Sequence, residues 1–201
     1  KRVLERRKMF LDKLCKTNPN LIQTAVHMHQ QKQIMPDTYV VDVDQFLENA
    51  KAILQKANEQ NIELYYMLKQ IGRNPYLAKE LEKLGYKGAV VVDFKEAEVM
   101  MKNHLHIAHA GHLVQIPSMM VNQLIAYGCD YFTVYSYEKL VEVNEAAKKI
   151  GLVQKVCVRV IGENDRIYSG QTAGFYLNQL EELVQKSKDL KYIEIAGVDN
   201  F

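Results

Sequence analysis

The 201-residue chain is 48% hydrophobic and 25% charged, a composition typical of globular proteins rather than of disordered or fibrous ones. Its formal net charge of +2 gives no indication of a nucleic-acid surface, and no apolar run approaches the ~18 residues of a membrane-spanning helix. The 3 cysteines are widely spaced and form no CxxC pair, which argues against a disulfide framework and favours a reducing, cytoplasmic location. We therefore expect a soluble, globular protein with neither a nucleic-acid nor a membrane partner.

Two helical patterns at the start of the chain predict a helical segment over residues 1–37, ahead of a main domain at 38–201. The two helices are separated at Asn18-Pro19, because proline disfavours helical backbone in the residue before it. Tyr39–Val43 then has the pattern of a strand, and Asp44 is placed to cap the helix that follows.

Further along the chain, short apolar or alternating runs predict strands, and the first five are each followed by a helical pattern or a loop leading to one. These runs are 62–68, 89–92, 107–110, 131–135, 156–161 and 192–197. An Asp93–Glu96 capping box predicts the start of one of the helices. Repeated strand–helix units indicate a parallel sheet covered by helices, either a doubly wound open sheet or a (β/α)8 barrel. The glycine-rich motifs of nucleotide-binding open sheets are missing, so we expect an α/β fold of the TIM-barrel type, truncated in this sequence after about six strands.

Lys69 ends the first of these runs. Alternate residues of a strand share a face, so Tyr65, Met67 and Lys69 lie on one face and Leu64 and Leu68 on the other. The leucines suit contact with helices, which directs Lys69 inward at the carboxyl end of the strand, where the active sites of barrel enzymes lie. We expect its amine to be partly desolvated there, which favours the neutral form that reacts with a carbonyl. Judged by these residues alone, an ordinary exposed lysine is the alternative.

Four segments follow one another in the order of a known family. Thr38–Ile53 carries a Y-V-x-D-x-D-x-x-x-x-N pattern, Leu64–Lys69 ends in a lysine, Val90–Met100 contains an x-x-E-A helix start, and Phe132–Leu140 carries T-V-x-S-x-x-x-L. The series resembles the barrel domain of alanine-racemase-like pyridoxal-phosphate enzymes. Within that family it is similar to the YhfX-like group of amino-acid racemases.

The resemblance implies that Lys69 holds pyridoxal 5'-phosphate as a Schiff base and that the enzyme removes the α-proton of an amino acid during racemisation. It also implies a C-terminal β domain outside this sequence, from which a partner subunit supplies the second base. The full-length protein is then expected to be a homodimer, and the 201-residue sequence alone to be inactive. A decarboxylase of the same fold, or a non-catalytic barrel that carries pyridoxal phosphate, are the alternatives.

Four histidines, His104, His106, His109 and His112, lie in one segment and raise the possibility of a metal site. No cysteine nearby completes a tetrahedral set, so we expect a polar lining of the barrel mouth and no metal. A metal-dependent barrel stays open as a third alternative. His109 and His112, at and just past the end of their predicted strand, are the two expected to approach a ligand.

Other candidates follow from strand ends and from the resemblance. Arg73 stands where the family's racemases have a phosphate-binding tyrosine; it is a candidate anion ligand or an exposed residue at a helix start. Arg159 is expected to point inward from its strand, Tyr135 and Ser136 end another, and Ser136 can also cap a helix. Asn200 aligns with a histidine that the family presents to the cofactor. The candidate cofactor-binding residues are therefore Lys69, Arg73, His109, His112, Tyr135, Ser136, Arg159 and Asn200.

Overall fold

The structure, a computed structural model, describes residues 2–165 and 171–200, with side chains from Phe10 onward. The chain divides into two compact units, the first ending at Ala52 and the second beginning at Ile53. The division predicted between residues 37 and 38 stays a prediction. Over the described ranges, every helix is too short or too polar to span a lipid bilayer.

The first unit contains α1 (Arg2–Thr17), α2 (Pro19–Gln30) and the first part of α3 (Val43–Glu59). The predicted break between two N-terminal helices is confirmed, because Pro19 opens α2. Asn18 caps α2: its side-chain oxygen accepts a hydrogen bond from the Leu21 N–H at 3.1 Å. Its amide nitrogen donates to Asp42 Oδ2 at 2.6 Å, which links the start of α2 to the start of α3.

The strand expected at Tyr39–Val43 is wrong, since none is found there and α3 begins at Val43. Asp42 caps this helix rather than Asp44, because its Oδ1 accepts the Gln45 N–H at 3.0 Å. The physical reason is that a single extended run needs a neighbouring strand for its backbone groups, whereas a helix start needs only a capping side chain.

The second unit is a parallel five-stranded sheet in the order β1-β2-β3-β4-β5. Its strands are β1 (Ala89–Val91), β2 (Ile107–Ala110), β3 (Cys129–Val134), β4 (Gln154–Arg159) and β5 (Ile193–Asp199). The helices of this unit are α4 (Pro75–Leu84), α5 (Phe94–Lys102), α6 (Ser118–Tyr127), α7 (Tyr137–Ile150) and α8 (Leu180–Lys186). The predicted alternation of strand and helix in a parallel sheet is confirmed.

The run at 62–68 lies beside β1 and occupies the place of a further strand. It forms one parallel bridge, between Tyr66 and Ala89. The Tyr66 N–H donates to the Gly88 carbonyl at 3.0 Å, and the Val90 N–H donates to the Tyr66 carbonyl at 2.8 Å. The six predicted runs therefore all fall within the sheet or along its β1 edge.

The apolar core lies between the sheet and its helices. Side chains that are fully buried there include Ala108, Ala110, Val121, Leu124, Ile125, Phe132, Val134, Leu140 and Val143. On the opposite face, the Thr133 hydroxyl of β3 donates to Asp199 Oδ2 of β5 at 3.0 Å, although β4 lies between these strands. Neighbouring strands are about 4.8 Å apart, so a direct side-chain bond across two spacings requires a strongly concave face, as in a barrel.

Candidate active site

Four polar side chains meet on the concave face and form what we call the Asp199 cluster: His109, His112, Thr133 and Asp199. His109 lies near the carboxyl end of β2, Asp199 ends β5, and His112 follows β2 in the chain. Asp199 Oδ1 lies 3.1 Å from His112 Nδ1, and Asp199 Oδ2 accepts the Thr133 hydroxyl at 3.0 Å. Because Thr133 donates to Asp199, its oxygen is left to accept a hydrogen bond from His109 Nε2. Hydrogen bonds therefore lead to the Asp199 carboxylate from His112 directly and from His109 through the Thr133 hydroxyl.

The carboxylate of Asp199 is 8% exposed and is held in its charged form. Burial alone raises its pKa, but the hydrogen bond and charge of His112, the charge of His109 and the Thr133 hydroxyl together bring the pKa below its usual value. Burial lowers the pKa of His109, with the charge of His112 acting in the same direction and that of Asp199 against it. At neutral pH the cluster thus combines an ionised aspartate with a neutral His109.

Tyr135, a predicted cofactor contact, anchors the loop that carries His112. Its hydroxyl donates to the carbonyl oxygens of Gly111 at 3.0 Å and His112 at 2.9 Å. Burial raises the pKa of Tyr135 far above its usual value, so this hydroxyl stays protonated. Gly111 has a φ of +85°, and a Cβ there would lie 3.1 Å from the Thr133 carbonyl oxygen. The loop therefore approaches β3 as closely as only a glycine allows.

Arg159 lies beside the Asp199 cluster at the end of β4. It is 1% exposed, and its Cα pairs with that of Asp199 in the register of β4 and β5. A Cβ on Gly174 would lie 3.0 Å from Arg159 Cγ, so the segment that begins at residue 171 packs directly on this side chain. The predicted inward position of Arg159 agrees with its place next to Asp199.

Lys69 follows the 62–68 run directly and is the first residue of a 3-10 turn, Lys69–Ile71. It therefore lies at the carboxyl end of that run, where the extended backbone ends at Leu68, which has a ψ of 7° and is 2% exposed. The expected desolvation of its amine is wrong, because Lys69, like Met67 before it, is exposed among the described residues. None of the described residues forms a hydrogen bond or an ion pair with the Lys69 side chain.

The turn that carries Lys69 is held by the start of α5. Arg73 has a left-handed φ of +55°, and its NH2 group lies 2.9 Å from Asp93 Oδ2. Glu96, which is 1% exposed, accepts the Leu68 N–H at 3.1 Å. The Nε of Arg73 is buried and has no hydrogen-bond partner within the described residues. Arg73 is thus partly buried and ion-paired, and among the described residues no acceptor meets its Nε–H.

Two of the candidates have local structural partners. Ser136 caps α7, since its hydroxyl accepts the Lys139 N–H at 3.2 Å. Asn200 donates to the Val160 carbonyl at 3.0 Å and to Asp165 Oδ2 at 2.9 Å. The structure does not bring these two side chains into the Asp199 cluster, and their contact with a cofactor stays a prediction.

The four histidines separate into two places. His106, directly before β2, pairs with Asp130 near the start of β3, with 2.8 Å between Nε2 and Oδ2 in an exposed position, whereas His109 and His112 face Asp199. Throughout the described residues, no group of three or more histidine, cysteine, aspartate or glutamate side chains is arranged to hold a metal ion.

The arrangement suits an anionic cofactor that carries an aldehyde. Lys69 offers an accessible amine to a carbonyl carbon, and the partly exposed guanidinium of Arg73 offers positive charge to an anion. The donor set at the carboxyl ends of the strands thus fits pyridoxal phosphate. Glu96, Thr133 and Asp199 were not among the predicted site residues. Glu96 and Thr133 lie in segments that carry the resemblance, whereas Asp199 lies beyond the last predicted strand run, 192–197.

A family model for the N-terminal domain of alanine racemase matches residues 41–200. The chain belongs to this family. Membership confirms the resemblance given by the sequence segments, and with it pyridoxal phosphate as the cofactor of this fold.

Among curated proteins, the chain is 46% identical over 193 residues to the uncharacterized protein YhfX of Escherichia coli (strain K12). The match covers 96% of this chain and 50% of that protein, so the chain spans about half the length of its relative.

Solved structures of this fold include enzymes with several activities. An alanine racemase from Clostridium difficile 630 in complex with cycloserine is 23% identical, with a TM-score of 0.56, over 78% of this chain and 41% of its own. Diaminopimelate decarboxylase from M. jannaschii with L-lysine is 18% identical, with a TM-score of 0.65, over 87% and 44%. D-threonine aldolase from Filomicrobium marinum is 19% identical, with a TM-score of 0.64, over 79% and 42%. These similarities confirm the predicted barrel-type fold.

Proposed function

We propose that this chain is the cofactor-binding barrel of a pyridoxal-phosphate-dependent amino-acid racemase, with Lys69 as the lysine that binds the cofactor covalently. The observation that carries the proposal is an accessible lysine amine, unengaged among the described residues, at the carboxyl end of a parallel run, on a turn fixed by two carboxylates. A turn fixed in this way presents the amine to a carbonyl carbon from one side.

Pyridoxal phosphate, when bound, supplies an electron sink for negative charge at the α-carbon of an amino acid. The residues of this chain then have distinct tasks. Lys69 holds the cofactor and takes the α-proton on one face, and Arg73 binds an anionic group of the cofactor or substrate through its partly exposed guanidinium. The Asp199 cluster and Arg159 line the opposite part of the concave face, where Asp199 keeps His112 oriented through Nδ1.

The full-length protein is proposed to be a cytoplasmic homodimer in which a C-terminal domain of the partner subunit supplies the second base. A decarboxylase and a non-catalytic carrier share the cofactor and the lysine, and they differ in what happens to an amino acid. In D₂O with full-length protein and pyridoxal phosphate, a racemase exchanges the α-proton and inverts the configuration. A decarboxylase releases CO₂, and a carrier does neither.

The covalent assignment is tested by borohydride reduction of full-length protein mixed with pyridoxal phosphate, followed by peptide mapping. We expect one dominant adduct, on the peptide containing Met67-Leu68-Lys69. Lys69→Ala should abolish it, and Lys69→Arg should do so equally, because a guanidinium stays protonated and forms no bond of this kind. Both variants should keep the stability of the wild type to within about 0.5 kcal/mol, because the side chain is exposed.

Lys102→Ala is the matched control. Lys102 is also exposed, ends α5 and pairs only loosely with Glu98, at 3.9 Å. This variant should label like the wild type. A dominant adduct on Lys102 or Lys95 would refute the assignment of Lys69. Absence of any adduct on the full-length protein would refute the pyridoxal-phosphate function as a whole.

A further inference from the structure

Glu96 makes contacts that its position in a capping box does not explain. Asp93 caps α5 as expected, since its Oδ1 accepts the Glu96 N–H at 2.8 Å. In a standard box the glutamate side chain would return to the N–H of the capping residue. Here Oε2 accepts the Val92 N–H at 2.9 Å, and Oε1 accepts the Leu68 N–H at 3.1 Å. One carboxylate therefore joins the ends of two neighbouring runs of backbone.

The carboxyl group of Glu96 is buried. Glu96 is 1% exposed and its pKa is raised, chiefly by burial, although the N–H groups of Val92 and Leu68 and the charge of Arg73 act in the opposite direction. A helix start can be capped by an exposed side chain without any such burial. Capping therefore does not explain the burial of Glu96, whereas its hydrogen bond to the backbone beside Lys69 does.

Leu68 connects Glu96 to the turn that begins at Lys69. Its N–H is bound by Glu96, and its carbonyl accepts the N–H groups of Ile71 and Arg73, each at 3.0 Å. The turn that begins at Lys69 is built on this one residue. Arg73 closes the turn in a left-handed conformation that is rare for residues with a side chain, and its ion pair with Asp93 ties the other end of the turn to α5.

We propose that Glu96 is a positioning residue that fixes the direction of the Lys69 amine by clamping the Leu68 N–H. The inference rests on the proposed function of Lys69. A carboxylate suits the task because it offers an acceptor to each of two N–H groups. Glutamine would turn its NH₂ group towards one of them, so one clamp would be lost while the side chain kept its size.

The clamp is tested first without any cofactor. In Glu96→Gln, hydrogen–deuterium exchange at the Leu68 or Val92 amide should become roughly tenfold faster than in the wild type, because its hydrogen bond is lost. Exchange in β3 and β4 should be unchanged. Equal protection of both amides in the two proteins would overturn the inference. If Glu96→Gln does not fold, Glu96→Asp replaces it, since its carboxylate is one methylene too short to reach both N–H groups.

The consequence for Lys69 is tested by borohydride labelling of full-length protein with pyridoxal phosphate. The measured quantity is the ratio of adduct on Lys69 to adduct on the other lysines of the same sample, which a general loss of stability does not change selectively. We expect this ratio to fall about 10- to 100-fold in Glu96→Gln, because small displacements of a reacting group have effects of that size.

Glu82→Gln is the matched control. The Glu82 carboxylate also accepts two hydrogen bonds, from the Tyr66 hydroxyl at 2.7 Å and from the His106 N–H at 3.1 Å, and so also ties the 62–68 run to its surroundings, away from Lys69. Both bonds end on Oε1, and glutamine keeps an oxygen in that place, so this variant makes the same substitution without losing a hydrogen bond and should leave the labelling ratio unchanged. An unchanged ratio in Glu96→Gln, or equal falls in both variants, would overturn the positioning role. A wild type that shows no preference for Lys69 would instead refute the proposed function.

Discussion

Replacing Asp199 by asparagine removes the negative charge of the Asp199 cluster and leaves the shape of the side chain almost unchanged. In the wild type, the carboxylate accepts the Thr133 hydroxyl at 3.0 Å and lies 3.1 Å from His112 Nδ1. Asparagine has one acceptor oxygen, so its NH₂ group must face one of these donors. The perturbation is therefore confined to two hydrogen bonds at the end of β5.

The size of the effect follows from these two bonds. Hydrogen bonds to charged groups contribute about 1.5–3 kcal/mol and neutral ones about 1 kcal/mol, so Asp199→Asn should lower the free energy of unfolding by about 1–3 kcal/mol at neutral pH. The pKa of Asp199 is lower in the folded protein than its ordinary value of 3.8. Its stabilising contribution is consequently complete above that value and is lost as the pH falls through the folded-state pKa. The difference between wild type and variant should shrink over the same range.

Urea unfolding of both full-length proteins, followed by circular dichroism at neutral pH and at steps down to about pH 3, measures both effects. Asp130→Asn is the control, because Asp130 pairs with His106 while both side chains are almost half exposed. Its effect should stay within about 0.5 kcal/mol. The reasoning is refuted if Asp199→Asn is as stable as the wild type at neutral pH, or if the two variants lose the same amount.

Two further predictions separate structural from chemical roles. Ser136→Ala should lower stability by about 1 kcal/mol through loss of the α7 cap, with borohydride labelling by pyridoxal phosphate unchanged; loss of labelling would show that Ser136 contacts the cofactor after all. Of the three cysteines, only Cys15 should react quickly with Ellman's reagent in the native protein at about pH 8, because burial raises the pKa of Cys129 to about 12 and of Cys157 to about 11. Rapid reaction of Cys129, which is buried, or of Cys157, which is partly buried, would contradict this.

Most of the barrel could be predicted from the sequence because its strands are short apolar runs, each followed by an amphipathic helix. In β3, for example, Phe132 and Val134 are fully buried against helices, so hydrophobicity marks the strand directly. The run at Tyr39–Val43 has the same local pattern and forms no strand. Local pattern reports that a run can pair, but pairing depends on a neighbour that only the folded chain provides.

The position of Lys69 could be predicted, but its surroundings could not. Alternation along 62–68 predicted that Leu68 faces the helices, in agreement with its burial, whereas the direction of Lys69 stays a prediction because the extended backbone ends at Leu68. The degree of desolvation depends on what covers that face, which alternation does not report. The capping box likewise predicted the start of α5, while the reach of Glu96 to Leu68 depends on how β1 lies beside the 62–68 run.

Asp199 was missed for a reason that lies in the register of β5. Strict alternation would place Asp199 on the same face as Ile193 and Ile195, towards the helices, and Asn200 on the concave face. The register departs from this: Val156 pairs with Ile195, but Cys157 pairs with Gly197, so β5 contains one extra residue.

A bulge of this kind exchanges the faces of all residues beyond it. Asp199 therefore joins Arg159 on the concave face, while Asn200 donates to the Val160 carbonyl. A single unpaired residue, which leaves no mark in composition or periodicity, thus decides that an ionised carboxylate rather than a neutral amide lies at the centre of the cluster. Because that carboxylate orients His112 and receives the hydrogen bond of Thr133, the electrostatics of the site depend on the backbone of β5 as much as on the residue types it carries.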